Sequence, residues 1–377
     1  MSTAETASQM KSPCAHNGTD DLRGFVSLDD MESMARTRLS EMAHAYFVGG
    51  AGDERTLGQN RSAWSEIDIW HRALVDVSKR STACNLFGRP SSMPILAAPT
   101  ALHKLAHADG ECATARGCAA AGVPMVISSL ASTAIEEIAA AAQCPLLMQV
   151  YLGQDRVLGR DLMARAEAAG VVGFQLTVDT PVWGLRRREI TSGFHMPPGM
   201  DVVNLRGAGG GKSSTGVGIA EVLGWTISPS VTWKDLEWAC GLTKLPVYAK
   251  GICRADDARR AVDAGARGVV VSNHGGRQLD GTPATARALP GVVRAVDGRV
   301  PVLVDGGIRR GVDVLRAVAL GATAVQVGRP VLWGLACGGS AGVARCFEIL
   351  REELDRAMAL AGCPDVASIQ EDLLKQG

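Results

Sequence analysis

The sequence carries no surplus of charge. Its 39 Lys and Arg residues balance 39 Asp and Glu over 377 residues, so no long-range field draws the chain to nucleic acid or to an anionic membrane. No stretch approaches the apolar length of a membrane span, and the N-terminus, MSTAETASQMKSPCAHNGTDD, lacks the apolar core of a secretory signal. The ten cysteines include no C-x-x-C pair and no Cys/His cluster at metal-ligand spacing. That excludes a zinc site or a disulfide framework and suits isolated buried thiols in a reducing compartment. The C-terminal LLKQG is not a peroxisomal ending of the S-K-L type. Together these absences point to a cytoplasmic protein with a small-molecule partner, and with no metal, membrane or nucleic-acid partner.

Residues 1–22 are polar and read as a disordered tail. Residues 23–92 read as a helical N-terminal extension. Ser27 followed by Asp29 and Asp30 looks like a helix start, and Leu28, Met31, Ala35, Leu39 and Met42 recur at helical spacing.

From residue 93 onward the rhythm changes to short apolar runs, each followed by a helix-like segment. The runs are 94–99, 124–129, 145–151, 172–179, 246–250, 268–273, 301–305 and 324–328. Continuous apolar runs signify strands buried on both faces, as in parallel sheets covered by crossover helices. Segments such as LGRDLMARAEAAG and RADDARRAVDAG fit those helices and end in glycine, a common αL cap. Eight βα units predict an α/β fold, a (β/α)8 TIM barrel over 93–377 that closes with C-terminal helices. The spacing breaks once, after strand four. There a Gly- and Ser-rich insertion, 190–232, reads as a mobile loop over the catalytic end.

In such a barrel the residues at the C-terminal ends of the strands carry the chemistry. Here they are unusually polar: Thr100, Ser128, Gln149 with Tyr151, Thr177 with Asp179, Lys250, His274 with Arg277, Asp305 and Arg329. DGGIRRG after strand seven and GRP after strand eight suit phosphate. Their glycines admit an anion close to the backbone, the following helix N-termini offer N–H groups, and Arg309 and Arg329 add charge.

The blocks SNHGGRQLDG (272–281), LTVDTP (176–181), DGGIRRG (305–311) and HADGECATARGCAAAG (107–122) resemble the FMN-dependent 2-hydroxy-acid oxidase and dehydrogenase family. That family includes glycolate oxidase, lactate oxidase and mandelate dehydrogenase, and the likeness spans about residues 25–365. The resemblance implies FMN as cofactor and His274 as the catalytic base, with Asp179 orienting it and Tyr151 facing the reacting hydroxyl. It implies that Arg186, Arg277 and Tyr46 hold the substrate carboxylate. For the flavin it implies contacts from Thr100, Ala101, Ser128, Gln149, Thr177 and Ser272, with Lys250 at the N1/C2 edge. Asp305 is then a ribityl ligand, and Gly307, Arg309, Gly328 and Arg329 form the phosphate site.

The implied reaction is oxidation of a small (S)-2-hydroxy acid to the 2-oxo acid, with O2 taking the electrons to give H2O2. A homotetramer or octamer also follows from the resemblance. An acceptor other than O2, a quinone or cytochrome, is the alternative within the family, as is a flavin oxidase acting on another carboxylate-bearing substrate. Oxygen is favoured because no heme domain precedes the barrel and the insertion lacks an apolar patch. Two positions depart from glycolate oxidases, which typically carry Trp where this chain has Leu130 and a smaller aliphatic residue where it has Trp183. Both belong to the implied substrate pocket.

Overall fold

The computed structural model describes residues 22–374, apart from Ala142 and most of 206–226, where Gly216, Glu221, Val222 and Gly224 are described. The tail 1–21 therefore lies outside the described residues, and Leu22 already belongs to a short 3-10 turn, Leu22–Gly24.

The extension 23–92 holds three helices and a short β-hairpin, and the stretch whose apolar residues share one helical spacing is two helices. α1 spans Leu28–Arg38, opened by a capping box in which the Ser27 side chain accepts from Asp30 N and the Asp30 carboxylate answers the Ser27 amide. It stops at Leu39, and Ser40 caps a second helix, α2, Glu41–Val48, by accepting from Ala43 N at 3.2 Å. The apolar spacing runs on through Leu39 to Met42, so periodicity alone could not show the break. α3 spans Arg55–Ser65. A hairpin of β1 (Cys84–Leu86) and β2 (Arg89–Ser91) follows. Its two-residue turn, Phe87 and Gly88, has positive φ at both positions, the twist that closes tight hairpins. Phe87 meets Tyr248 edge-on at 5.6 Å, so the hairpin plugs the N-terminal end of the barrel.

The eight expected strands all form: β3 (Ile95–Ala97), β4 (Met125–Ile127), β5 (Leu146–Val150), β6 (Gly173–Thr177), β7 (Val247–Ile252), β8 (Gly268–Val271), β9 (Val302–Asp305) and β10 (Ala324–Val327). They pair in parallel and close as β10 onto β3. Inside, alternate strands supply successive layers of side chains. Leu96, Leu147, Tyr248 and Leu303 form one layer; Val126, Gln175, Val270 and Gln326 lie above it; Ala98, Gln149, Lys250 and Asp305 come next, at the mouth. Apolar residues thus fill the bottom and polar ones rise toward the C-terminal end.

The 190–232 insertion does not begin as a free loop. A short helix, Arg187–Thr191, leads into it, and Phe194, Met196, Val202 and Leu205 are buried. Its Gly-rich part lies outside the described residues. No helix among the described residues is long and apolar enough to cross a membrane, and none of them form a cluster that could hold a metal.

Candidate active site

A cleft of about 970 Å³, its open mouth included, occupies the C-terminal end of the barrel. It gathers most of the residues singled out from sequence: Tyr46, Thr100, Ala101, Ser128, Leu130, Gln149, Tyr151, Thr177, Trp183, Arg186, Lys250, His274, Arg277, Asp305, Gly307, Arg309, Gly328 and Arg329. Asp179 and Ser272 stand behind this surface. Ser272 is fully buried, its hydroxyl accepting from Lys250 Nζ at 2.9 Å and from His274 N at 3.0 Å.

His274 follows β8 with φ of 58°, in the left-handed region that a non-glycine residue enters only when its surroundings compel it. The bond to Ser272 holds that turn. Its Nδ1 lies 2.9 Å from Asp179 Oδ1, and its Nε2 is 3.5 Å from the Tyr151 hydroxyl. Burial opposes charge on Asp179, but the facing His274 and Lys250 outweigh it and hold the carboxyl below its ordinary range. Burial also lowers the imidazole, aided by Lys250 and Arg186 against the pull of Asp179. The stable arrangement is therefore a carboxylate accepting from Nδ1–H of a neutral ring, with Nε2 turned to the cleft as a base. The Asp179 carboxylate sits against Gly251, where φ is 110° and a Cβ would come within 2.6 Å of it.

Arg186 and Arg277 line the cleft with this base. Arg186 is buried, lies 3.3 Å over the Trp183 ring, and donates from Nε to the Arg277 carbonyl at 3.1 Å. Burial and the facing Arg277 push it down to about 9. The acidic partner among the described residues, Glu189 at 3.6 Å, is itself raised by burial, so the pair neutralises poorly. Arg277 donates to the carbonyls of Tyr46 and Gly49, both at 2.8 Å, and lies 5.2 Å from the Tyr46 ring centroid. Phe194 stacks on Tyr46 at 4.4 Å. Arg187 and Arg188, beside Arg186 in sequence, remain exposed and pair with Asp53 and Glu54.

At the far end, the loops after β9 and β10 differ in part from expectation. The first amides of the helix Gly311–Ala319 are already used: Asp313 accepts from Arg309 N and Arg310 N at 3.1 and 3.0 Å, and Glu353 from Gly311 N at 2.7 Å. The Arg329 guanidinium donates to the carbonyls of Phe47, Gly275 and Gly49 at 2.9, 3.1 and 3.0 Å, fastening α2 to the barrel. What faces the cleft is the Gly307 turn, the Arg309 side chain and Gly328 at the start of the helix Arg329–Ala361. Gly307 has φ of 83°, and a Cβ there would fall 1.8 Å from the Asn60 carbonyl oxygen.

Lys250 donates to Asp305 Oδ2 at 2.9 Å. Burial works against the ammonium, yet Asp305 and Asp179 keep it charged. Gln149 donates to Thr177 Oγ1 at 2.9 Å and accepts from Ser129 N at 3.1 Å. Leu130 is buried, its amide donating to Ser128 Oγ at 3.1 Å.

Sequence reasoning missed several supporting residues. His103, fully buried, bonds Thr100 Oγ1 at 2.6 Å and Thr114 Oγ1 at 2.9 Å. Buried Glu111 accepts from His103 N at 3.0 Å and from Ser132 N at 2.8 Å. Gln278 accepts from Gly184 N at 3.2 Å and donates to the carbonyls of Asp179 and Val182 at 3.1 and 2.9 Å. Glu111 and His103 lie within the HADGE segment and its approach, and Gln278 within the SNHGGRQLDG block, so the motifs held them without indicating their task.

The donor set fits FMN. Asp305 Oδ1, Arg309 Nε and both amide atoms of Gln326 are buried without a hydrogen-bond partner, and Arg309 and Arg329 are lowered by burial, the latter also by neighbouring arginines. Buried polar atoms and cations in this state call for hydroxyls and an anion, and FMN brings both in its ribityl chain and phosphate. Residues 35–376 match the model of the FMN-dependent dehydrogenase family. The chain is 46% identical to an L-lactate oxidase of Nostoc sp., over 93% of this chain and 98% of that one. It is 44% identical to glycolate oxidase 3 of Arabidopsis thaliana, covering 93% and 96%. The crystal structure of a mandelate oxidase with (S)-4-hydroxymandelic acid superposes with a TM-score of 0.87 at 43% identity, covering 92% and 98%. The chain therefore belongs to the family of FMN-dependent 2-hydroxy-acid oxidases and dehydrogenases, and is an enzyme whose cofactor is FMN.

Proposed function

We propose that this enzyme oxidises an (S)-2-hydroxy acid bearing an apolar side chain to the 2-oxo acid and passes the electrons to O2. The observation that carries the reading is a neutral, carboxylate-held His274 facing the same cleft as the under-neutralised guanidinium of Arg186 and its neighbour Arg277. Arg186, Arg277 and the Tyr46 hydroxyl bind the substrate carboxylate and orient the α-carbon. His274 Nε2 then takes a proton from the substrate, Asp179 stabilises the resulting imidazolium, and the Tyr151 hydroxyl steadies the reacting oxygen. FMN, when bound, accepts the two electrons. The substrate loses two electrons and two protons, and O2 takes both pairs to become H2O2. Lys250 supplies fixed positive charge beside the flavin, Thr100, Ala101, Ser128, Gln149 and Thr177 border its ring system, Asp305 binds the ribityl chain, and Gly307, Arg309, Gly328 and Arg329 surround the phosphate. Anaerobic bleaching of the flavin by a panel of 2-hydroxy acids, followed by peroxide detection on admitting air, tests the whole. A protein bleached by none of them, or one that yields no peroxide in air, would overturn substrate class or acceptor respectively.

Arg309→Glu places an anion where the phosphate would lie. The purified variant should retain far less FMN than the yellow parent while keeping its affinity for riboflavin, which has no phosphate; flavin content after gel filtration measures it.

Side-chain preference follows from Leu130 and Trp183. Leu130 leaves room on one wall, whereas Trp183, pinned under Arg186, narrows the other. A substrate with apolar atoms beyond glycolate then gains about 0.8 kcal/mol per buried methylene. Trp183→Ala should broaden acceptance toward bulkier acids and Leu130→Trp should shift preference to glycolate, read as kcat/KM for glycolate, lactate, 2-hydroxyoctanoate and mandelate. A glycolate optimum unmoved by either change would remove both residues from specificity.

A reducing cytoplasm is the compartment proposed, since Cys118, Cys346 and Cys363 are buried free thiols. A homotetramer or octamer is the assembly proposed, and light scattering of the full chain decides it.

A further inference from the structure

The layer beneath the cleft floor is abnormal for a barrel interior, where bulky branched apolar residues dominate. Two of its four members are glutamines, Gln175 on β6 and Gln326 on β10, set four strands apart on opposite walls. Gln175 has 0% and Gln326 1% of its surface exposed, and all four of their amide atoms are without a hydrogen-bond partner. An orphaned buried polar group costs about 1–3 kcal/mol, so two glutamines where Val126 and Val270 fill the same layer are a cost to the fold unless something uses them.

The two are not equivalent. Gln326 lines the cleft and Gln175 does not. Gln326 is also the direct lateral neighbour of Asp305 in the β9–β10 ladder, and Asp305 keeps one oxygen on Lys250 and the other, Oδ1, without a partner. Three unpartnered polar atoms, the Asp305 oxygen and the Gln326 amide oxygen and nitrogen, thus belong to laterally neighbouring residues that both line the cleft. A carboxylate oxygen accepts, and an amide both donates and accepts. That combination suits a chain of hydroxyls, which offers donors and acceptors in alternation, and FMN carries such a chain between its ring and its phosphate.

We propose that Gln326, backed across the barrel by Gln175, is a cofactor-binding residue that hydrogen-bonds the ribityl hydroxyls beside Asp305. This rests on the assignment of FMN to the cleft and adds a residue that none of the sequence motifs contains. The glutamines exchange stability of the empty protein for affinity toward the polyol chain.

Flavin binding to apoprotein, followed by fluorescence quenching with FMN, riboflavin and lumiflavin, tests it, because lumiflavin has the ring system and no ribityl chain. Gln326→Leu should weaken FMN and riboflavin about tenfold, the loss of one well-placed hydrogen bond, and leave lumiflavin unchanged. Gln326→Asn, which withdraws the amide by one methylene and stays polar, should give the same pattern should the leucine variant fold poorly. The double variant Gln175→Leu/Gln326→Leu should melt no lower than the parent as apoprotein. FMN affinity within twofold of the parent in both single variants would overturn the inference, as would an equal loss for lumiflavin, which would mean that the floor had collapsed. A parent protein that binds no flavin would instead overturn the cofactor assignment itself.

Discussion

Replacing His274 by alanine is expected to slow reduction of the bound flavin by at least ~100-fold, the usual contribution of a positioned general base, while FMN stays bound. The separation of the two effects follows from geometry: the imidazole is held by Asp179 and faces Tyr151, whereas Gly307, Arg309 and Gly328 belong to the loops after β9 and β10. The pH dependence has a definite sign. A base must be neutral to act, and burial lowers the His274 imidazole, so the rate of reduction should persist below the ordinary histidine value of about 6.5 and fall only as the pH drops through the depressed value. Asp179→Asn removes the charge that pulls the imidazole upward, so the acid limb should move lower still, on a plateau reduced because a neutral amide no longer stabilises the imidazolium. Anaerobic stopped-flow reduction across pH measures both. An acid limb above the ordinary histidine value would contradict a neutral resting base, and unchanged reduction in His274→Ala would take the residue out of the mechanism.

The barrel was legible because its strands are buried on both faces, so each is a largely apolar run without the strict polar alternation of a half-exposed strand. The hairpin at the barrel's base was not, because strands of three residues carry too little pattern, and only the Phe87–Gly88 turn marks it. The break between α1 and α2 escaped for the opposite reason. The apolar period continues across it, and only the Ser40 cap reports it.

The candidate site was legible wherever a residue's position at a strand end fixed its direction, as for Lys250, His274 and Asp305. It was silent where partners come from distant segments. Nothing in GRP shows that the carbonyls of Phe47 and Gly49, some 280 positions away, bind the Arg329 guanidinium. Nor does the SNHGGRQLDG motif show that the Ser272 hydroxyl accepts from the His274 amide and holds its turn. The His103 and Glu111 network is made of residue types that are generic in sequence and specific only in space.

Arg186→Met separates function from stability more sharply than any other change. A buried guanidinium facing a second one, pushed down to about 9, is a cation the fold tolerates without adequate compensation. Methionine keeps the unbranched stem, ends short of the guanidinium and buries no charge beside the Trp183 ring, so the variant should melt no lower than the parent. Activity should move the other way. A charge-assisted contact to a desolvated carboxylate contributes roughly 1.5–3 kcal/mol, which corresponds to about 10- to 150-fold in kcat/KM. Arg277→Met should lose as much activity but also stability, because Arg277 holds the C-terminal turn of α2 through Tyr46 and Gly49. The discriminating substrate is the methyl ester of the best 2-hydroxy acid. The parent should prefer the free acid strongly, and Arg186→Met should lose most of that preference, since with its guanidinium gone the acid has less charge to meet. Equal activity of the parent on acid and ester would sink the carboxylate clamp, and a large fall in melting temperature for Arg186→Met would show that the guanidinium serves the fold instead of the substrate.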